Sequence, residues 1–155
     1  MATLTEIEKY AKKSLKKHLN LAYQNRSLKK KVGGVSEWFV DLSICSAPKM
    51  TKLNHEFRGK KKPTDVLSFP LAEVFQNQGY LGDLVICGPV LLKQAKEMKH
   101  SWKAEADVLI VHGILHLLGF DHELGDQAAK EMAKWEQKLL AAKAKKNSLI
   151  SRSRV

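Results

Sequence analysis

The chain has 155 residues, enough for one domain whose core needs no disulfide framework. Hydrophobic residues make up 44%, which excludes a wholly disordered chain. Lys and Arg number 27 against 16 Asp and Glu, and the net charge of +11 favours a polyanionic partner, nucleic acid first and an anionic membrane surface second.

Leu4, Ile7, Ala11, Leu15 and Leu19 recur at helical spacing, with lysines on the other face, so the spacing predicts a helix from Thr3 to about Leu19. This N-terminus is charged and lacks the apolar stretch of a signal peptide, and no segment approaches the ~20 apolar residues of a membrane span. The expectation is a soluble, cytoplasmic protein with no membrane partner. Asn20 to Val35, basic and ending in Gly33-Gly34, reads as a loop or frayed helix end. Ser36 to Cys45 reads as a strand, with Trp38, Val40, Leu42 and Ile44 alternating against Glu37, Asp41 and Ser43. Ser46 and Pro48 then open a short helix with Met50, Leu53 and Phe57 on one face, closed by Gly59.

Lys60 to Pro63 is a basic loop. Val66–Phe69 and Leu81–Cys87 are two more strands, the latter apolar enough to be buried on both faces, with a turn at Gln76–Gly79 between them. Gly88-Pro89 starts a helix to about Lys99. Ser101 caps the next, which runs to about Leu118 and is apolar all round, as a central helix should be. The last helix starts near Asp126 and carries Met132, Trp135, Leu139 and Leu140, and a basic tail that frays follows from about residue 143. Cys45 and Cys87 sit in apolar runs and read as small hydrophobes rather than a disulfide. With neither repeat nor linker, residues 1–155 read as one domain. Its class is α/β (α+β): a small mixed sheet of three or four strands packed with about five helices.

Chemistry concentrates in His112-Gly113-Ile114-Leu115-His116-Leu117-Leu118-Gly119-Phe120-Asp121-His122. His112 and His116 lie one turn apart on a helix face, and can bind one metal ion side by side. His122 would be rotated roughly 240° from His116 if the helix continued, so the chain must turn back for it to join them. Gly119 sits where that turn needs a left-handed residue. Three histidines with a fourth position open describe a catalytic rather than a structural zinc site, and this spacing closes the metzincin protease site too. Those proteases place a glutamate, the general base, after the first histidine, where this chain has Gly113. That disfavours a peptidase, while zinc can still lower the pKa of water to about 7 without the base.

The stretch HGILHLLGFDH resembles the signature of the YbeY family, bacterial rRNA maturation factors described as zinc-dependent, single-strand-specific endoribonucleases, with Phe120 where the family has tyrosine. Two further blocks match in order: Asn54 and Arg58 before Pro63-Thr64-Asp65-Val66-Leu67-Ser68-Phe69-Pro70, and Gly82-Asp83-Leu84-Val85-Ile86. The resemblance spans about Asp41 to Trp135. It implies one zinc ion per chain on His112, His116 and His122 and a functionally important Arg58. It also implies action on ribosomal RNA at the small subunit, notably the 3′ end of its RNA, and in ribosome quality control. Family members usually begin with a strand, whereas this chain begins at the helix; the edge strand is either absent or supplied by Lys29–Val35.

Arg58 reads as a phosphate clamp, with Asp65 able to orient it or to do no more than turn chemistry with Thr64. Asp121 suits either a carboxylate behind a ligand histidine or a turn cap. Lys60, Lys61 and Lys62 either touch RNA backbone or are solvated. Asp107 reads as solvated or capping. Three functions follow in order: a zinc endoribonuclease using water or the RNA 2′-hydroxyl as nucleophile, a metal-dependent peptidase, and a non-catalytic ribosome-assembly factor holding a metal.

Overall fold

A computed structural model describes residues 1–144. Thr3 opens α1 (Leu4–Gln24) through a capping box: its hydroxyl accepts the Glu6 N–H, and the Glu6 carboxylate accepts the Thr3 N–H at 2.7 Å. Ile7, Ala11, Leu15, Leu19 and Ala22 are buried along one face, while Lys9, Lys12, Lys13, Lys16 and Lys17 are exposed on the other. The helix outruns its expected end because Ala22 is still in the core and Tyr23 packs edge-on against Trp38. The expected loop that follows is largely helical. The Asn25 side chain accepts the N–H groups of Ser27 and Leu28, opening α2 (Arg26–Lys29), and a 3-10 turn, Lys30–Val32, continues it. Leu28 and Val32 are buried one helical turn apart, so Lys29–Val35 does not supply an edge strand.

The sheet has three strands among the described residues. β1 (Phe39–Cys45) runs parallel to β3 (Tyr80–Cys87), and β2 (Val66–Pro70) lies antiparallel on the other side, giving the order β1-β3-β2. The central position explains the apolar sequence of β3, whose Leu81, Leu84 and Ile86 are fully buried. β1 begins at Phe39 rather than Ser36, because Trp38 turns into the core and donates its indole N–H to the Val32 carbonyl at 3.1 Å. Among the described residues five helices have ten or more residues: α1, α3 (Ala47–Arg58), α5 (Gly88–Glu97), α6 (Trp102–Leu117) and α7 (Asp126–Ala144). The four-residue helices α2 and α4 (Glu73–Gln76) are additions that periodicity could not reveal. The basic tail expected after α7 lies outside the described residues.

α6 is the centre of the molecule. Ala106, Leu109, Ile110, Val111, Ile114 and Leu115 are fully buried on every side of it, between α1, α5, α7 and the sheet. Each such Leu or Ile contributes about 1.5–3 kcal/mol of burial free energy. Asp107, read above as solvated or capping, is instead buried: it accepts the Ser14 hydroxyl at 2.6 Å and the Tyr10 hydroxyl at 3.0 Å, both from α1. A helix covered all round has no solvated side, so its carboxylate takes partners from the helix packed on it.

Candidate metal centre and its cleft

His112 and His116 stand one turn apart near the C-terminal end of α6, their Nε2 atoms 3.1 Å apart. α6 stops at Leu117 in a Schellman motif. The Gly119 N–H donates to the His116 carbonyl and the Phe120 N–H to that of Leu115, both at 3.0 Å, with Gly119 at φ 99°. The backbone reverses there and brings His122 back onto its partners, with ring centroids 5.1 Å from His112 and 5.2 Å from His116. One ligand atom from each of the three lies within 4.8 Å of the others.

The set fits a metal ion on several counts. Two ring nitrogens at 3.1 Å match the separation of about 3.3 Å that tetrahedral Zn–N bonds of about 2.0–2.1 Å impose. Burial, then the neighbouring His112 and His122 rings, pull the His116 pKa down to about 4, so its imidazole is the neutral, ligating form near neutrality. The buried Nδ1 of His122 meets no hydrogen-bonding group among the described residues. Behind His112 stands Glu136 of α7, 2% exposed, its Oε2 3.5 Å from Nδ1. At that distance no hydrogen bond is formed, and the His112 Nδ1, like that of His122, has no hydrogen-bonding partner among the described residues; a carboxylate closing onto it would fix which nitrogen faces a metal and raise its basicity.

Asp121, the candidate read from the sequence for that place, is a cap: its carboxylate accepts the Glu123 N–H at 2.9 Å and opens the 3-10 turn His122–Leu124. Glu136 escaped the reading, although a signal existed. It falls between Met132 and Leu139 at helical spacing, a carboxylate inside an otherwise apolar stripe.

The histidines open onto a cleft of about 570 Å³ whose facing wall is β2 and the end of α3. Arg58 lies on that wall and donates to Glu123 at 3.1 Å, a part-exposed pair worth at most about 1 kcal/mol. Asp65 accepts its neighbour Val66's N–H at 2.7 Å, the turn chemistry expected of it. Phe57 stands 58% exposed at the rim, its ring edge-on to Phe69 at 5.0 Å. Lys60, Lys61 and Lys62 are exposed and outside the cleft lining, which sets one arginine against Asp65, Asp121 and Glu123.

Gly113 has a packing reason to be glycine. A Cβ there would come within 2.7 Å of the buried Leu84 side chain of β3. The position that carries the protease glutamate therefore faces the sheet, not the cleft.

Three imidazoles gathered by a helix and its return turn, open on one side to solvent, define a hydrolase able to carry a metal ion. The family profile described as "Endoribonuclease YbeY" matches residues 2–144. The chain belongs to that family. Similar relatives include an endoribonuclease YbeY of Aquifex aeolicus, 41% identical over 112 residues, covering 72% of this chain and 75% of the relative. One from Thermodesulfovibrio yellowstonii is 37% identical over 131 residues, 82% of each chain. A solution structure from Thermotoga maritima covers 90% of this chain and 82% of its own, with 30% identity and a TM-score of 0.55. No helix among the described residues is long and apolar enough to cross a membrane.

Proposed function

We propose that the protein is a zinc-dependent endoribonuclease that cuts single-stranded RNA, acting in the cytoplasm on ribosomal RNA of the small subunit, at its 3′ end and in ribosome quality control. Family membership supports RNA hydrolysis. The observation that carries the finer reading is the shared cleft: the three imidazoles line one side, and Arg58 with the exposed Phe57 lines the other. His112, His116 and His122 would hold one zinc ion, with Glu136 behind His112. The ion, when bound, supplies Lewis acidity toward phosphate oxygen and acidifies water.

The remaining steps belong to the chain's own groups. Arg58 exchanges its weak pairing with Glu123 for a phosphodiester, which a guanidinium can grip with two parallel hydrogen bonds. As charge grows on that phosphate, the same donors become stronger, which is the differential binding that raises a rate. Phe57 offers an aromatic face to one unstacked base. A base paired in a duplex cannot present its face there, which is the physical source of single-strand preference. Asp65, Asp121 and Glu123 bias the cleft toward a cation and against a second phosphate near the histidines.

Gly113 disfavours the peptidase reading, since the residue that would serve as base is missing and its position is packed against Leu84. Arg58→Ala tests the enzyme reading. Single-turnover cleavage of a single strand should fall on the order of a hundredfold, as for one preorganised donor. RNA affinity should fall much less, and zinc content should not change. Equal losses in rate and affinity would reduce Arg58 to one more phosphate contact.

A further inference from the structure

The positive charge of this protein is not where the metal site is. Residues 1–35 carry nine basic and two acidic side chains, a net +7. Residues 36–142, which hold every residue of the cleft, carry 13 basic and 14 acidic, a net −1. The tail from 143 adds five basic residues and no acidic one. The cleft by itself therefore attracts a polyanion poorly.

In the folded chain the N-terminal charge forms a belt. Lys9, Lys13 and the adjacent pair Lys16 and Lys17 follow one another along the exposed side of α1, roughly one helical turn apart, over roughly 12 Å. Two surface grooves of about 570 and 540 Å³ flank this row and share Lys13. The second is walled by the half-buried rings of Tyr10 and Trp102, packed edge-on at 5.5 Å with the Lys103 ammonium beside both. Glu37 is the one acid lining the first groove, and Glu6 the one lining the second, among the described residues. Lys29, Lys30 and Lys31 extend the belt, and Lys31 stands 4.9 Å from the centroid of the Phe120 ring, two residues before His122.

This surface is separate from the cleft. α1 reaches α6 at Asp107, through Tyr10 and Ser14. Around the α6 axis Asp107 lies ~140° from His112 and ~180° from His116, at ~100° per residue. The lysine row of α1 and the metal centre thus lie on opposite sides of the central helix, and only Lys31, at the far end of the belt, comes round to the turn that carries His122.

We propose that the lysine face of α1 is a docking surface for the phosphodiester backbone of RNA, which holds the substrate outside the cleft that cuts it. This rests on the RNA reading given above. Spaced lysines beside aromatic walls suit a sugar-phosphate chain and give affinity without sequence readout. An anionic membrane would be drawn by the same charge. An interfacial helix, however, needs a free apolar face, and that of α1 is spent on the core through Ile7, Ala11, Leu15 and Leu19.

The test uses the full chain carrying His116→Ala, so that RNA is bound without being cut. A labelled 30-nucleotide RNA is titrated by fluorescence anisotropy at several salt concentrations, with and without Lys13→Ala/Lys16→Ala/Lys17→Ala. The triple variant should bind at least tenfold more weakly, and its salt slope should be shallower by about 2, since each phosphate contact contributes about 0.7 on a single strand. Lys49→Ala/Lys93→Ala/Lys96→Ala, which removes equal charge from α3 and α5, should bind as the parent does. Equal losses in the two triple variants, or no loss in the first, would overturn the proposal. So would lysine-dependent binding to phosphatidylglycerol vesicles with none to RNA. Cleavage by the unmutated protein is measured separately: lysine-dependent RNA binding without cleavage keeps the docking surface and removes the nuclease reading, and cleavage without lysine dependence does the reverse.

Discussion

The side chain that best shows how a residue acts at one remove is Glu136. It is buried at 2% exposure, with its Oε2 3.5 Å from the Nδ1 of His112. A carboxylate taken from water at such cost is retained where it holds something in place. Glu136→Gln keeps the shape and removes the charge. Zinc affinity, measured by competition against a chelator, should fall about 10- to 100-fold. Unchanged affinity with lowered thermal stability would make Glu136 a packing residue only.

Elements explain why three histidines become one site. His112 and His116 need only a helix, but His122 needs α6 to stop and the backbone to reverse. Gly119, at φ 99° with open space where a Cβ would project, makes that reversal for backbone reasons alone. Gly119→Val should cost about 1–2 kcal/mol or somewhat more, since a branched residue resists this region. It should weaken zinc binding although it touches no ligand. Calorimetric unfolding and zinc titration read the two effects, and wild-type zinc affinity in this variant would refute the role of the turn. Much of this was legible: histidine spacing and glycine position pointed to the three histidines that the fold clusters, and apolar periodicity to the central helix, the buried strand and the five long helices of the described residues. What escaped depended on tertiary packing. α2 and α4 are too short to show a period, Trp38 left its strand for the core, and Asp107 took partners from α1, 93 and 97 residues away in sequence. The pairing of Arg58 with Glu123, 65 residues away in sequence, was likewise beyond the reach of local pattern.

At the scale of the molecule, composition indicated a polyanionic partner but not where it sits. The +11 invites a basic active-site groove, whereas the cleft is lined by three carboxylates and one arginine. Separating affinity from chemistry suits such an enzyme: a cleft that must hold a metal cation benefits from carboxylates, and RNA must then be attracted by another surface. On the function proposed, this cleft cuts RNA with a metal ion held by three histidines. The most direct measurement is single-turnover cleavage of a labelled single-stranded RNA and its duplex by the protein loaded with one zinc per chain, beside His116→Ala. The zinc-loaded protein should cut the single strand, spare the duplex and stop when chelated. His116→Ala should hold no stoichiometric zinc and cut neither, because two nitrogens do not close a three-ligand site. Cleavage by His116→Ala at the unmutated rate, or undiminished cleavage after chelation, would show that the three histidines hold no catalytic metal.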